Sequence, residues 1–166
     1  MSGRGIYYVT TPIYYVNDVP HIGHAYTTLA CDVLARFMRL DGCDVHFLTG
    51  TDEHGQKVEK AAAAAGLAPQ AFTDKVSQSF RDLVKNMNYS PDNFIRTTEK
   101  RHYAASQALW EKLVAAGDIY LGKYAGWYSV RQEGYFLEKE TSLGPDGVRR
   151  EPLGSPVEWT EEETYF

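Results

Sequence analysis

Two histidines, His21 and His24, flank Gly23 in a loop that follows a short apolar run and precedes a helical pattern. If a helix begins near Gly23, its free N–H groups and the positive end of its dipole favour a bound phosphate. Two imidazoles three residues apart can then reach one anionic group together. The glycine, which has no Cβ, leaves room for a phosphate or a planar base against the backbone. These residues predict a phosphate site, although two polar residues at any helix start would have the same spacing.

A second polar cluster, residues 50–55 (GTDEHG), follows the next predicted strand. Parallel strands lie about 4.8 Å apart and ligands bind at their carboxyl ends, so we expect Asp52 to line the same pocket as the loop histidines. A carboxylate in that pocket suits an ammonium group. Two alternatives stay open. Either Asp52 or Thr51 caps the next helix, or Asp52 joins His54 and the loop histidines in a metal site.

Both clusters depend on a strand–helix–strand unit. Residues 6–10 and 45–49 are short β-branched and aromatic runs, and the first predicts a buried strand. Between them, apolar residues recur every three or four positions, which is typical of an amphipathic helix ending near Asp41. Its apolar stripe consists of Leu29, Val33, Phe37 and Leu40. Such a unit is most simply a right-handed parallel crossover, so we predict a doubly wound α/β fold.

The sequence pattern in the remainder of the chain predicts three more helices and, after them, a region of different composition. The helical patterns cover residues 56–65, 69–87 and 99–116. From residue 119 the composition shifts to Gly, Pro, Tyr, Trp and Glu, with short strand-like pieces between turns. We therefore predict two regions: residues 1–118, and a small β-rich insert at 119–166.

The composition limits the class of protein. The 166 residues are 43% hydrophobic and 23% charged, as in soluble globular proteins, and the net charge is -5. No overall positive field exists to attract nucleic acid, so neither DNA nor a membrane is an expected partner. Cys31 and Cys43 form no CxxC pair, and no hydrophobic stretch of signal-peptide length occurs. These features predict a cytoplasmic protein.

The chain resembles a known family in two longer motifs. Residues 10–24 (TTPIYYVNDVPHIGH) and 47–57 (FLTGTDEHGQK) are similar to the N-terminal catalytic region of methionyl-tRNA synthetases, which are class I aminoacyl-tRNA synthetases. The HIGH tetrapeptide alone is shared with other class I synthetases and nucleotidyl transferases, whereas TPIYYVN and GTDEHG are specific to the methionine branch. The resemblance covers essentially the whole chain. It implies the N-terminal half of a Rossmann-like nucleotide-binding fold with part of a connective insert.

The resemblance also implies roles for individual residues. His21, Gly23 and His24 would bind ATP, and the two histidines would stabilise the α-phosphate as the methionine carboxylate attacks it. Asp52 would hold the methionine ammonium. Tyr15 would form a wall of the amino-acid pocket and the Ile13 backbone would meet the thioether side; without the resemblance, core packing is the commoner use of Tyr15. The implied ligands are L-methionine, ATP with Mg²⁺ as substrate, and tRNA(Met).

Two departures from the family matter. Many members carry a zinc knuckle that begins with a YCxxCE motif, but Ser129 and Gln132 stand at the cysteine positions here, so we expect no structural zinc.

The family's second nucleotide-binding half with its KMSKS-type loop, and its anticodon-binding domain, have no counterpart in these 166 residues. We therefore expect the chain by itself to be inactive or very weak. The alternatives are another class I synthetase, a HIGH-type nucleotidyl transferase, or a noncatalytic synthetase-like binding module.

Overall fold

The computed structural model describes residues 4–166, which form two compact units divided between Ala105 and Ser106. The first unit contains a parallel sheet centred on its longest strand, β3. Strands β1 and β2 pair with successive parts of one side of β3, and β4 pairs with the other side. The strands are β1 (Ile6–Thr10), β2 (Tyr14–Tyr15), β3 (Asp44–Asp52) and β4 (Asn93–Arg96). The predicted parallel α/β fold is confirmed.

Four α-helices connect or follow these strands. They are α1 (Ile22–Leu40), α2 (Gln56–Ala64), α3 (Pro69–Asn86) and α4 (Lys100–Ala116). Their bounds agree with the sequence patterns to within a few residues, and α1 begins next to Gly23, where its start was expected. A core of five buried residues, Tyr14, Val16, Val58, Val76 and Phe80, lies in this unit. No helix in residues 4–166 has the length and apolarity needed to cross a bilayer.

The apolar stripe of α1 lies on the exposed side of the helix. All four of its residues are exposed: Leu29, Val33, Phe37 and Leu40. The buried side instead consists of Ala25, Thr28, Asp32 and Ala35. Asp32 can be buried because it accepts hydrogen bonds from the Ser90 N–H at 2.6 Å, the Ser90 hydroxyl at 2.7 Å and Arg36 Nε at 2.7 Å. Donors on the same helix and 58 residues away therefore satisfy the buried carboxylate of Asp32.

Strand β1 occupies the predicted residues but is not buried. Its burial alternates, with Ile6 and Tyr8 exposed. One edge of β1 pairs with β3, and no other strand in residues 4–166 pairs with the opposite edge. The two shortest strands of this sheet, β2 and β4, had no sequence signal strong enough to predict them.

The second unit contains five strands, all of them after residue 120. A three-stranded antiparallel sheet has β5 (Leu121–Ser129) at its centre, between β6 (Gly134–Phe136) and β9 (Glu158–Tyr165). A separate two-stranded sheet pairs β7 (Ser142–Leu143) with β8 (Arg149–Arg150). Gly126 lets Tyr135 lie against β5, because a Cβ at residue 126 would stand 3.1 Å from the Tyr135 ring.

Candidate functional site

The N-terminus of α1 is capped by two histidine side chains. His21 is the N-cap residue, and its Nδ1 accepts the Gly23 N–H at 3.1 Å. His24 Nδ1 accepts the His21 N–H at 3.0 Å, which completes a reciprocal capping box. The two rings stack with centroids 3.9 Å apart. The simpler interpretation of this spacing, two polar residues at a helix start, is thus correct, but it leaves one ring nitrogen of each histidine for other partners.

The capping hydrogen bonds determine which ring nitrogen of each histidine is available to other partners. Since Nδ1 of each ring accepts a backbone N–H, a neutral ring carries its proton on Nε2. Burial, and then the nearby His21, lower the pKa of His24, so this ring is neutral at pH 7. The N-terminus of α1 therefore presents two imidazole Nε2–H donors. Gly23 makes room for this arrangement, because a Cβ there would lie 2.9 Å from His21 Cε1.

Core aromatic residues hold the His24 ring in place. The Tyr14 ring meets it edge-on with centroids 4.8 Å apart, and the Phe80 ring does so at 5.1 Å. Tyr14 is itself fixed, because its hydroxyl is 2.9 Å from Thr28 Oγ1 and its ring stacks on Phe80. Rigid support of this kind is what a preorganised hydrogen-bond donor requires.

A cavity of about 550 Å³ lies beside the histidine pair. It brings together four of the residues identified from the sequence: Ile13, Tyr15, His21 and His24. Asp52 does not line this cavity. It pairs with Tyr15 across β2 and β3, so it lies next to a cavity-lining residue at the carboxyl end of the sheet. The expectation that Asp52 lines the same pocket as the loop histidines is not met in this cavity, because Asp52 stands one strand away from it.

The two adjacent tyrosines of β2 have opposite surroundings. Tyr14 is only 8% exposed and belongs to the core, whereas Tyr15 is 44% exposed. The Lys57 ammonium lies 5.6 Å from the centre of the Tyr15 ring. The core role that was the alternative for Tyr15 is therefore taken by Tyr14.

No side chain of the GTDEHG cluster caps the helix that follows it. The N-cap of α2 is Gly55, with no side-chain capping bond, so neither Asp52 nor Thr51 caps this helix. Thr51 is fully buried, and its hydroxyl donates to Glu53. Within residues 4–166, no three His, Cys, Asp or Glu side chains are grouped as metal ligands.

A buried ion pair that no local sequence pattern indicates lies next to Asp52. Glu53 is 4% exposed and accepts two hydrogen bonds from Arg96, Nε to Oε1 at 2.7 Å and Nη2 to Oε2 at 2.9 Å. Burial by itself raises the pKa of Glu53, but hydrogen bonds from Arg96, Thr98 and Thr51 together lower it below its ordinary value. Arg96 ends a short strand 43 residues away, so no local pattern could have shown the pairing.

In the second unit, the positions expected for a zinc knuckle form a hydrogen-bonded turn. Ser129 is fully buried, and its Oγ accepts the Gln132 N–H at 3.2 Å. A hydroxyl and a carboxamide do not supply the thiolates that structural zinc sites use. The residues present at these positions therefore do not fit zinc.

Comparison with known proteins gives consistent results. A family model described as tRNA synthetases class I (M) matches residues 7–150. The methionine–tRNA ligase of Mesorhizobium japonicum is 64% identical over 98% of this chain, and that of Rickettsia felis is 61% identical over the same share. This chain spans about a third of those relatives, 32% and 31% of their lengths.

Solved structures agree with the sequence relatives. The Mycobacterium tuberculosis methionyl-tRNA synthetase in complex with methionyl-adenylate is 55% identical over 97% of this chain and 32% of its own, with a TM-score of 0.88. The apo form of the same enzyme gives a TM-score of 0.68 at 49% identity, over 98% of this chain and 30% of its own. The first unit thus has the Rossmann-like fold of the N-terminal part of these structures.

Proposed function

Since this chain belongs to the class I tRNA synthetases of the methionine type, we propose that it forms the part of a methionine–tRNA ligase that binds L-methionine and ATP. The activity proposed for the whole protein is ATP-dependent formation of methionyl-adenylate, followed by transfer of the methionyl group to tRNA(Met). One observation carries the proposal: two imidazole Nε2–H donors at a helix N-terminus line a cavity with Ile13 and Tyr15.

The histidine pair suits the first step. A methionine carboxylate oxygen attacks the α-phosphorus of ATP, the bond to the bridging oxygen breaks, and pyrophosphate leaves with its Mg²⁺. Negative charge gathers on the α-phosphate oxygens in the transition state, and hydrogen-bond donors fixed beforehand stabilise it without reorganising. His21 and His24 supply such donors, and the dipole of α1 adds to them. The step needs no protein nucleophile, and none of these residues is assigned that role.

We assign the amino-acid side of the site to the ends of β2 and β3. Asp52 would pair with the methionine ammonium, and Tyr15, its neighbour across the two strands, would pack against the ligand. The Ile13 backbone would meet the thioether end. A carboxylate with no ion-pair partner among residues 4–166 suits an ammonium ligand, and an exposed aromatic ring suits an apolar side chain.

Methionine-dependent exchange of pyrophosphate into ATP tests the proposal. The protein to use is a chimaera in which this chain replaces the matching third of the Mesorhizobium japonicum relative. Exchange that depends on methionine, and not on leucine or isoleucine, is expected. Exchange driven by another amino acid would instead favour a different class I synthetase. A folded chimaera without any exchange would favour a noncatalytic binding module.

Substitution of Asp52 by asparagine is expected to separate the two ligands. The change keeps the size of the side chain but removes the charge that faces the ammonium, so binding of L-methionine should be lost while binding of MgATP is kept. Isothermal titration of the 166-residue chain with each ligand measures both. Equal methionine affinity in the Asp52→Asn and unsubstituted chains would contradict the assignment.

We also propose that the second unit folds without metal. The Ser129–Gln132 turn is closed by its own hydrogen bond, and no thiolate is available there. Elemental analysis of the purified chain is expected to find zinc well below one atom per molecule, and EDTA should leave its melting temperature unchanged. Stoichiometric zinc that resists dialysis would disprove this.

Three further assignments rest on the family and the sequence. The region boundaries at residues 1–118 and 119–166, a cytoplasmic location and tRNA(Met) as the partner are proposed for the whole protein. Free thiols at Cys31 and Cys43 are consistent with a reducing compartment.

A further inference from the structure

Asp52 lies between two residues that are tied to the end of β4. On one side, the Thr51 carbonyl accepts the Thr97 N–H at 3.2 Å. On the other side, the Glu53 N–H donates to Thr97 Oγ1 at 2.9 Å. Thr51, Glu53 and Thr97 are all buried. The backbone on both sides of Asp52 is therefore fixed by a single residue of the neighbouring segment.

The Glu53 carboxylate completes this attachment. Oε1 accepts from Arg96 Nε at 2.7 Å and from Thr51 Oγ1 at 2.8 Å. Oε2 accepts from Arg96 Nη2 at 2.9 Å and from the Thr98 hydroxyl. A bidentate arginine–carboxylate pair has a defined geometry as well as charge, so it restricts the orientation of the segment that carries it.

Burial alternates along this segment. Thr51 and Glu53 are buried and Asp52 between them is partly exposed, as expected where successive side chains point to opposite sides of a strand. Within residues 4–166, no hydrogen bond or ion pair involves the Asp52 carboxylate. Arg96 forms an ion pair with Glu53. Of the two adjacent carboxylates, Asp52 is therefore the one without an ion-pair partner among residues 4–166.

We propose that Glu53 is a positioning residue: through Arg96, Thr97 and Thr98 it fixes the end of β3 so that the Asp52 carboxylate can receive the methionine ammonium. This inference rests on the proposed function, since it assigns a role to a neighbour of the ammonium-binding group. Glu53 touches neither ligand, and its effect is on the direction and the charge environment of Asp52.

Titration of the 166-residue chain with L-methionine, and separately with MgATP, tests this. Glu53→Gln keeps the shape of the side chain and removes its charge, and we expect the Kd for methionine to rise about tenfold or more, as when a partner that orients a ligating group is lost. The Kd for MgATP should not change, because the histidine caps are untouched. A milder variant, Thr98→Val, removes one hydrogen bond and should weaken methionine binding less, in the same direction.

Asp32→Asn is the matched control. Asp32 is as buried as Glu53 and is also paired with an arginine, Arg36, but it lies on α1, away from the end of β3. This control should lose stability without losing methionine affinity, which separates positioning from general destabilisation. If Glu53→Gln fails to fold, the Kd of Thr98→Val for methionine is compared with that of Asp32→Asn instead.

The binding measurements distinguish failure of the positioning role of Glu53 from failure of the proposed function. Loss of methionine binding in Asp52→Asn, together with unchanged binding in Glu53→Gln and Thr98→Val, would overturn the positioning role and leave the proposed function intact. If the folded chimaera with the unsubstituted chain bound no methionine, the proposed function would fail, and the positioning role would fail with it.

Discussion

Substitution of Arg96 by methionine is expected to lower the free energy of unfolding by about 3–5 kcal/mol at pH 7. The cause is the charge left behind: the Glu53 side chain is fully buried, and methionine cannot pair with its carboxylate. Adding Glu53→Gln to Arg96→Met should restore part of the loss, because the uncompensated charge is then gone. Urea unfolding measures the four free energies of unfolding: those of the unsubstituted chain, of Arg96→Met, of Glu53→Gln and of the double variant.

The same variant has a defined pH dependence. In the unsubstituted chain the pKa of Glu53 lies below its ordinary value of 4.5, so its contribution to stability is complete above pH 4.5 and is lost as the pH falls through the lowered pKa. In Arg96→Met the buried, unpaired carboxyl has a raised pKa and takes up a proton more readily. The stability difference between the two proteins should therefore shrink as the pH is lowered from 7 towards 4. A difference that stayed constant over this range would show that lost packing, not charge, causes the effect.

Removal of the His24 donor is expected to slow methionine-dependent pyrophosphate exchange by the chimaera about 10²–10³-fold, the usual cost of losing one preorganised donor. Two variants separate this role from capping. In His24→Asn the amide oxygen can replace Nδ1 as the acceptor of the His21 N–H, while the Nε2–H donor is lost. In His24→Gln the amide N–H can reach the Nε2 position, while the cap acceptor is lost.

The kinetic and structural effects of the two variants should therefore differ. His24→Asn should keep the melting temperature but lose exchange, whereas His24→Gln should lose some stability but keep more exchange. His46→Ala is the control, because His46 is an exposed histidine that stacks on Tyr8 of β1, outside the cavity. Equal exchange rates for His24→Asn and the unsubstituted chimaera would remove His24 from the proposed step.

Much of the fold was predictable because it depends on local patterns. The five residues of β1, the strand and helices that follow, and the change to a β-rich segment after residue 119 all come from periodicity and turn residues that operate over a few positions. The loop histidines and Asp52 were identified in the same way, as polar residues that follow predicted strands. The family resemblance added their proposed roles.

Features decided by distant contacts were not predictable. The buried face of α1 contains Asp32, whose burial is tolerable because Ser90, 58 residues away, and Arg36 both donate hydrogen bonds to it. The Glu53–Arg96 pair joins residues 43 positions apart. The periodicity of α1 therefore did not show that Asp32 is buried, and GTDEHG gave no indication that its glutamate is a structural anchor.

The sequence by itself determined the order of the elements, the loops that follow each strand and the types of residue placed there, because these depend on local backbone preferences and side-chain chemistry. Only the tertiary structure decided how those residues are used. The histidine caps leave the Nε2–H groups as donors, Tyr14 and not Tyr15 enters the core, and Arg96 compensates Glu53 but not Asp52. Each of these depends on which atoms meet across the fold, and charge and hydrogen-bond satisfaction decide that in three dimensions.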